Sequence, residues 1–183
     1  EVNSVQKNLS QSYLQDFTKY GQKIDSDCIE HIFQYMPGHV GQRIKYTALY
    51  PEKRIEKIKQ SLHLLELMLL VQRAYSTTGQ GLPLGADIKS KVFKSIFLDI
   101  GLMQSMSGIS ATNLLAEKDL LAVYRGALAE QFVGQELLLH GGSENDRLYY
   151  WDRPKKSSNA EVDFLIARNG KIIPIEVKSG VPA

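Results

Sequence analysis

Glu161-Val-Asp-Phe-Leu-Ile-Ala-Arg168-Asn169-Gly170-Lys171-Ile-Ile-Pro-Ile-Glu-Val-Lys178 is the stretch whose reading decides the fold. Asn169-Gly170 is a strong hairpin signal, because both residues accept the positive φ of a type I′ turn. A two-residue loop there sets Arg168 opposite Lys171, and every further pair sums to 339. Asp163 then faces Glu176, and Glu161 faces Lys178. Side chains alternate between faces with period two. Glu161, Asp163, Glu176 and Lys178 therefore share one face, and Val162, Phe164, Ile166, Ile173, Ile175 and Val177 line the core face. Pro174 falls opposite Leu165 at a non-hydrogen-bonded position, where no ladder donor is needed.

Directly opposed residues have Cβ atoms about 4.5–5.5 Å apart. Two carboxylates at about 5 Å repel by about 3 kcal/mol at an effective dielectric near 20. A favourable cross-strand pair contributes only about 0.2–1 kcal/mol, so the hairpin itself does not offset the repulsion. Local rules are broken where function imposes it, and a hard divalent cation, Mg²⁺ or Mn²⁺, is the natural compensator for Asp163 and Glu176. The alternative is structural: Glu161 pairs with Lys178 and the other carboxylates lie in solvent.

Working outward, Leu120 to Leu139 reads as a helix ending at Gly141-Gly142, followed by strands at Arg147–Trp151, Glu161–Ala167 and Ile172–Lys178. Glu130 shares a helical face with Gly126, Ala127, Val133, Gly134 and Leu137. A carboxylate on that face needs a partner, which the Asp163/Glu176 face would supply. Tyr149, Tyr150 and Trp151 read as core packing, and His31, His39, His63 and His140 have no metal-ligand spacing.

Residues 1–119 have a different texture. Tyr13, Leu14, Phe17 and Tyr20 recur at helical spacing before Gly21. Asp25 or Ser26 caps a second helix with Ile29, Ile32, Phe33 and Met36 inside, ended by Pro37-Gly38. A third follows Pro51, its stripe being Ile55, Ile58, Leu62, Leu65 and Leu69. Val71–Ser76 and Leu82–Ile88, either side of Thr78-Gly79-Gln80-Gly81, read as two short strands, the wing of a winged helix. Between Arg43 and Lys59 six basic residues stand against two acidic ones. Arg43, Lys45, Lys53 and Lys57 are the candidates there for phosphate contact, with Lys155 and Lys156 further on; a solvated face is the alternative.

The expected fold is α+β, with a helical, winged-helix-like region over 1–119 and an α-β-β-β core over 120–183. Composition agrees: of 183 residues 43% are hydrophobic and 23% charged, outside the disordered and collagenous classes. The net charge of +2 does not by itself point to nucleic acid. One cysteine, Cys28, allows no internal disulfide and suggests a reducing compartment. No apolar run has the length of a bilayer span, and the start has no signal-peptide pattern, so a cytoplasmic location is expected. No Gly-x-x-x-x-Gly-Lys-Ser/Thr occurs, so the chain carries no phosphate-cradling loop of its own.

Asp163, then Glu176-Val177-Lys178, with Glu130 on a preceding helix, resembles the PD-(D/E)XK nuclease superfamily. Gly126-Ala-Leu-Ala-Glu130-Gln-Phe-Val, Leu148-Tyr-Tyr-Trp151, Glu161-Val-Asp-Phe164 and Ile175-Glu-Val-Lys-Ser-Gly180 are similar to a narrower family. It is the uncharacterised domain found C-terminal to AAA-type P-loop ATPases of bacteria and archaea. The resemblance is strong over 91–183 and weak over 1–60.

It implies an ATPase domain before residue 1, through which alone ATP would enter, and a nuclease-like core that stops short of its usual final helix and strand. It implies that Asp163, Glu176 and Glu130 hold Mg²⁺ or Mn²⁺ and that Lys178 orients or deprotonates the attacking water in phosphodiester hydrolysis. Val162 stands where the motif has proline. The expected function is Mg-dependent cleavage of DNA by the module of an AAA-type ATPase. The alternatives are an inactive nuclease-like module that binds nucleic acid or protein, and a regulator of ATPase assembly, which leaves room for an oligomer.

Overall fold

The computed structural model describes residues 2–19, 25–108, 122–140, 147–153 and 160–180. Tyr20, Gly21, Gly141, Gly142, Lys155 and Lys156 lie outside the described residues. The fold is α+β: N-terminal helices followed by a six-stranded mixed sheet. Helices α1 (Val2–Lys19), α2 (Ser26–Tyr35), α3 (Tyr46–Leu49), α4 (Ile55–Leu67), α5 (Ile100–Met106) and α6 (Ala122–Leu139) accompany strands β1 (Ile44–Lys45), β2 (Val71–Thr77), β3 (Val92–Phe97), β4 (Leu148–Asp152), β5 (Glu161–Arg168) and β6 (Lys171–Ile175). Strand order is β1-β3-β2-β4-β5-β6, antiparallel except for the parallel β2–β4 pair. That pair joins strands from before and after residue 119 in one sheet. Among the described residues no helix is long and apolar enough to cross a membrane.

Local chemistry explains the helices. Asp25 caps α2, its Oδ1 accepting from Cys28 N–H at 3.1 Å, and Asp99 caps α5 by accepting from Leu102 N–H at 2.7 Å; such caps satisfy donors that the first turn leaves unpaired. Cys28, Ile29, Ile32 and Phe33 bury the inner face of α2. Phe33 stacks on Phe97 of β3 and meets Phe17 edge-on, both with ring centroids 5.3 Å apart. The stripe of α4 holds at Ile58, Leu62 and Leu65. It fails at Leu69, because the helix ends at Leu67 and Leu69, at φ 60, turns out to 66% exposure.

Helices α1, α2, α4 and α5 cover the sheet face that carries Val71, Phe93 and Phe97. The opposite face, with Ala74, Ile96, Leu148, Tyr150 and Phe164, takes Val133 and Leu137 of α6. A Cβ on Gly134 would stand 2.5 Å from Ile96 Cδ1, so α6 approaches the sheet closely because that residue has no side chain. Tyr149 packs with Leu84 and Leu165 in a third cluster, as expected for an aromatic strand used for packing.

The hairpin register is the one the turn dictates: Phe164 pairs with Ile175, Leu165 with Pro174, and Arg168 with Lys171. Three expectations are corrected. The expected wing is not formed: β2 and β3 are inner strands of the six-stranded sheet, and Leu82–Ile88 holds the short 3₁₀ turn Leu84–Asp87, pinned by Thr77 Oγ1 donating to the Leu84 carbonyl at 2.9 Å. Strand β6 ends at Ile175 and does not reach Lys178, because the Asp163 side chain takes the Val177 N–H.

The core face is also split. Tyr149 pairs with Leu165 but Trp151 with Val162, so β5 bulges at Asp163 and Phe164. Such an extra residue locally cancels the alternation of side chains. Val162 accordingly packs with Tyr149 and Leu165, while Phe164 packs with Ala74 and Tyr150 on the α6 side.

Candidate functional site

The bulge in β5 brings Asp163 to the same side as Phe164, toward α6. There Asp163 Oδ1 lies 3.8 Å from Lys94 Nζ, and its Oδ2 accepts from Val177 N–H at 2.8 Å. Glu161, paired in register with Asp152, contacts the same Lys94 ammonium and lies 4.0 Å from Arg43 Nε. Glu130 descends from α6, and its Oε1 accepts from Lys94 Nζ at 2.6 Å. Its Oε2 lies 3.1 Å from where a Cβ on Gly41 would stand, and Gly41 has φ +76, so only glycine fits there without strain.

All four expected site residues line one pocket of about 360 Å³: Glu130, Asp163, Glu176 and Lys178, together with Lys94 and Glu161. Gly41 and Gly126 form the small-residue part of its wall. The interior differs from the expected one. The Lys94 side chain is only 2% exposed, and its ammonium also stands 5.3 Å from the centre of the Tyr150 ring. Lys178, in contrast, is 82% exposed and pairs with Glu176 at 3.2 Å. The expected structural pairing of Glu161 with Lys178 is not formed, and Glu161 is held by Lys94 and Arg43.

Electrostatics follow from three carboxylates sharing one buried cation. Burial pushes the Glu130 carboxyl up to about 7; Lys94 opposes this, and Asp163 and Glu161 add to it. Burial alone would lower Lys94, but Glu130 and Glu161 outweigh it and hold the ammonium above its ordinary value, hence charged.

The folded chain holds a proton on Glu130 that the unfolded chain, with its carboxyl near 4.5, has already lost. Excess protons in the folded state make stability fall as pH rises. This contribution is complete below about 4.5 and is lost as pH climbs to about 7. Urea denaturation at pH 5 and 7.5 should show the decline, and Glu130→Gln should flatten it. Asp152 acts in another window. Burial would raise it, but Lys89 and Ser76 hold it below 3.8, so its contribution is lost only as pH falls below that value.

The donor set does not fit a divalent cation in the arrangement adopted. Mg²⁺ requires oxygen ligands at about 2.0–2.1 Å in near-octahedral order, and here Lys94 Nζ already engages Glu130 and Glu161 beside Asp163. Among the described residues, no group of three or more His, Cys, Asp or Glu side chains is placed to hold a metal ion. Asp163 Oδ2 is committed to the backbone and Glu176 to Lys178.

Two of the basic residues expected to meet phosphates are engaged by carboxylates. Arg43 bonds Asp152 Oδ2 at 3.1 Å, and Lys53 lies 2.9 Å from both Asp25 and Asp27. Lys45 and Lys57 are exposed. The reading from sequence missed Lys94, although a lysine inside Val92-Phe-Lys-Ser-Ile-Phe97 is a signal: a charge within an apolar strand needs a buried partner. It also missed Gln131, which sits fully buried against the end of β3.

A family model described as a domain of unknown function (DUF8612) matches residues 1–113. A second, described as a domain of unknown function (DUF4143), matches residues 125–182. No curated protein and no solved structure matches the chain.

Proposed function

The chain belongs to the family of the domain of unknown function DUF8612, and on that footing we propose that it is a nuclease-like module that binds and does not cleave, working with an AAA-type ATPase. One observation carries the absence of cleavage: the buried Lys94 ammonium lies among Glu130, Glu161 and Asp163, where the nuclease resemblance calls for a divalent cation. An ammonium neutralises carboxylates but supplies no Lewis acid to a phosphodiester and no activated water. Lys178 supports the same reading, since its exposed side chain is paired with Glu176.

The ATPase partner rests on the resemblance of residues 91–183, a segment that contains the second family match. A protein partner is favoured over nucleic acid, because Arg43 and Lys53 are already engaged by carboxylates. A second reading, metal-dependent nuclease, is kept alive by one fact: Glu130, Asp163, Glu176 and Lys178 do converge on a single pocket.

Cleavage assays separate the two. Single- and double-stranded DNA and RNA, incubated with the protein and Mg²⁺ or Mn²⁺, should be degraded no faster than with Asp163→Ala. Metal-dependent cleavage that vanishes in both Asp163→Ala and Lys178→Ala would replace the binding reading with the nuclease one.

A further inference from the structure

We propose that the row Lys59, Tyr46, Arg73, Tyr75 and Arg147 is a docking surface for an acidic segment of a protein partner, whose carboxylates pair with the Lys59 ammonium and the Arg147 guanidinium. The proposal rests on the protein-binding reading above and adds the chemistry of the partner. Lys59 of α4 places its Nζ 5.5 Å from the centre of the Tyr46 ring on α3. The Arg73 guanidinium of β2 stands 5.9 Å from that same ring and 5.3 Å from the Tyr75 ring. Arg147, directly before β4, stands 5.7 Å from Tyr75. Three cations from separate parts of the chain are thus strung along two tyrosines, and a cation is attracted to the face of such a ring.

Only the middle cation is neutralised from within. Arg73, with a side chain 16% exposed, pairs with both Glu66 oxygens at 2.6 Å and donates to the Tyr46 hydroxyl at 2.5 Å. Lys59 and Arg147 are exposed, and among the described residues neither meets a carboxylate. Ala74 pairs with Leu148 in the parallel β2–β4 ladder, so Arg73 and Arg147 are neighbours on adjacent strands. Like charges so placed repel, and Glu66 answers one of the two. A carboxylate from outside would answer the other, since a guanidinium takes a carboxylate through two parallel hydrogen bonds. The rings hold both outer cations in place beforehand, which lowers the entropy lost when a partner docks.

The same rings argue against nucleic acid. Single strands are held by bases stacking on open aromatic faces, whereas Tyr46 and Tyr75 each already carry two cations. Tyr46 is also only 7% exposed. What the row presents to a partner is charge, as in the basic clusters that read acidic motifs.

The test is fluorescence anisotropy of a labelled peptide of alternating Asp and Ser residues, titrated with the whole chain at low ionic strength. The peptide should bind more tightly than its Asn/Ser counterpart and than an oligothymidylate, and its binding should weaken as salt is added. Lys59→Gln and Arg147→Gln should each weaken it by about threefold or more, the scale of one exposed ion pair. Lys59→Arg, which keeps the charge, should retain it, and so should Lys171→Gln at the exposed hairpin tip. No binding of the Asp/Ser peptide overturns the proposal, as does an equal loss in Lys171→Gln. Tighter binding of the oligothymidylate, lost in Lys59→Gln and Arg147→Gln, overturns it in favour of nucleic acid. The reading on which it rests fails separately, through metal-dependent cleavage that vanishes in Asp163→Ala and Lys178→Ala.

Discussion

Lys94→Met should lower folding stability by about 3–5 kcal/mol at neutral pH, the range found when one partner of a buried ion pair is removed. The reason lies in what remains. Glu130, with a side chain 11% exposed, loses the ammonium 2.6 Å away, and Glu161 and Asp163 lose the same neighbour. Three carboxyl groups then face one another in a partly dry pocket, and like charges at such separations repel by several kcal/mol at protein-like dielectric. The apolar stem of methionine preserves packing against the sheet, so the loss reports charge and not a cavity.

Two further features identify the mechanism. Adding Glu130→Gln should recover part of the loss, a coupling that a double-mutant cycle measures directly. The cost should also be smaller at pH 5 than at pH 7.5, because Glu130 carries a proton at the lower pH. Urea denaturation of the four proteins at both pH values checks all of this. A loss below 1 kcal/mol at pH 7.5 would mean that the cluster is stable without its lysine.

Gln131→Leu should cost roughly 2–4 kcal/mol, because each buried polar group left unpaired costs about 1–3 kcal/mol. Strand β1 pairs only with the first residues of β3, Val92 and Phe93, and leaves the far end of that edge open. Gln131 of α6 closes it: Oε1 accepts from Phe97 N–H at 2.8 Å, and Nε2 donates to the Phe97 carbonyl at 2.7 Å. The side-chain amide thereby stands in for a residue of a neighbouring strand.

Gln135 extends the edge by donating to the Leu98 carbonyl at 3.0 Å. Leucine has a similar volume, so the expected loss measures hydrogen bonding. Hydrogen exchange gives a second readout: the Phe97 amide should lose protection more than its neighbours do. Equal protection in both proteins would show that the clamp does not hold the edge.

How much of this was legible in the sequence depends on the range of the interaction. The hairpin was readable because Asn169-Gly170 fixes the turn and the turn fixes every pair up to Phe164 and Ile175. The helix α6 and the three strands after it were readable from periodicity and turn residues. The bulge at Asp163 and Phe164 was not, since it depends on how β4 aligns against β5, and period-two reasoning assumes no extra residue.

Lys94 was hidden for a similar reason. Its partners Glu130, Glu161 and Asp163 are far away in the chain, and only the parallel contact of β2 with β4 brings β3 into the same sheet as β5. The hairpin reading asked for one counter-charge for Asp163 and Glu176, but in the fold Asp163 stands near Lys94 and Glu176 pairs with Lys178. It named a metal ion because nothing in the hairpin offsets the repulsion of Asp163 and Glu176, whereas the fold brings in Lys94 from another strand beside Glu130, Glu161 and Asp163.

The most direct measurement of the central claim is anomalous diffraction at the manganese edge from crystals of the wild-type protein grown with Mn²⁺. The expected map has no anomalous peak in the pocket and places Lys94 Nζ between Glu130 and Glu161. A manganese peak coordinated by Asp163 and Glu176, with Lys94 displaced, would contradict it.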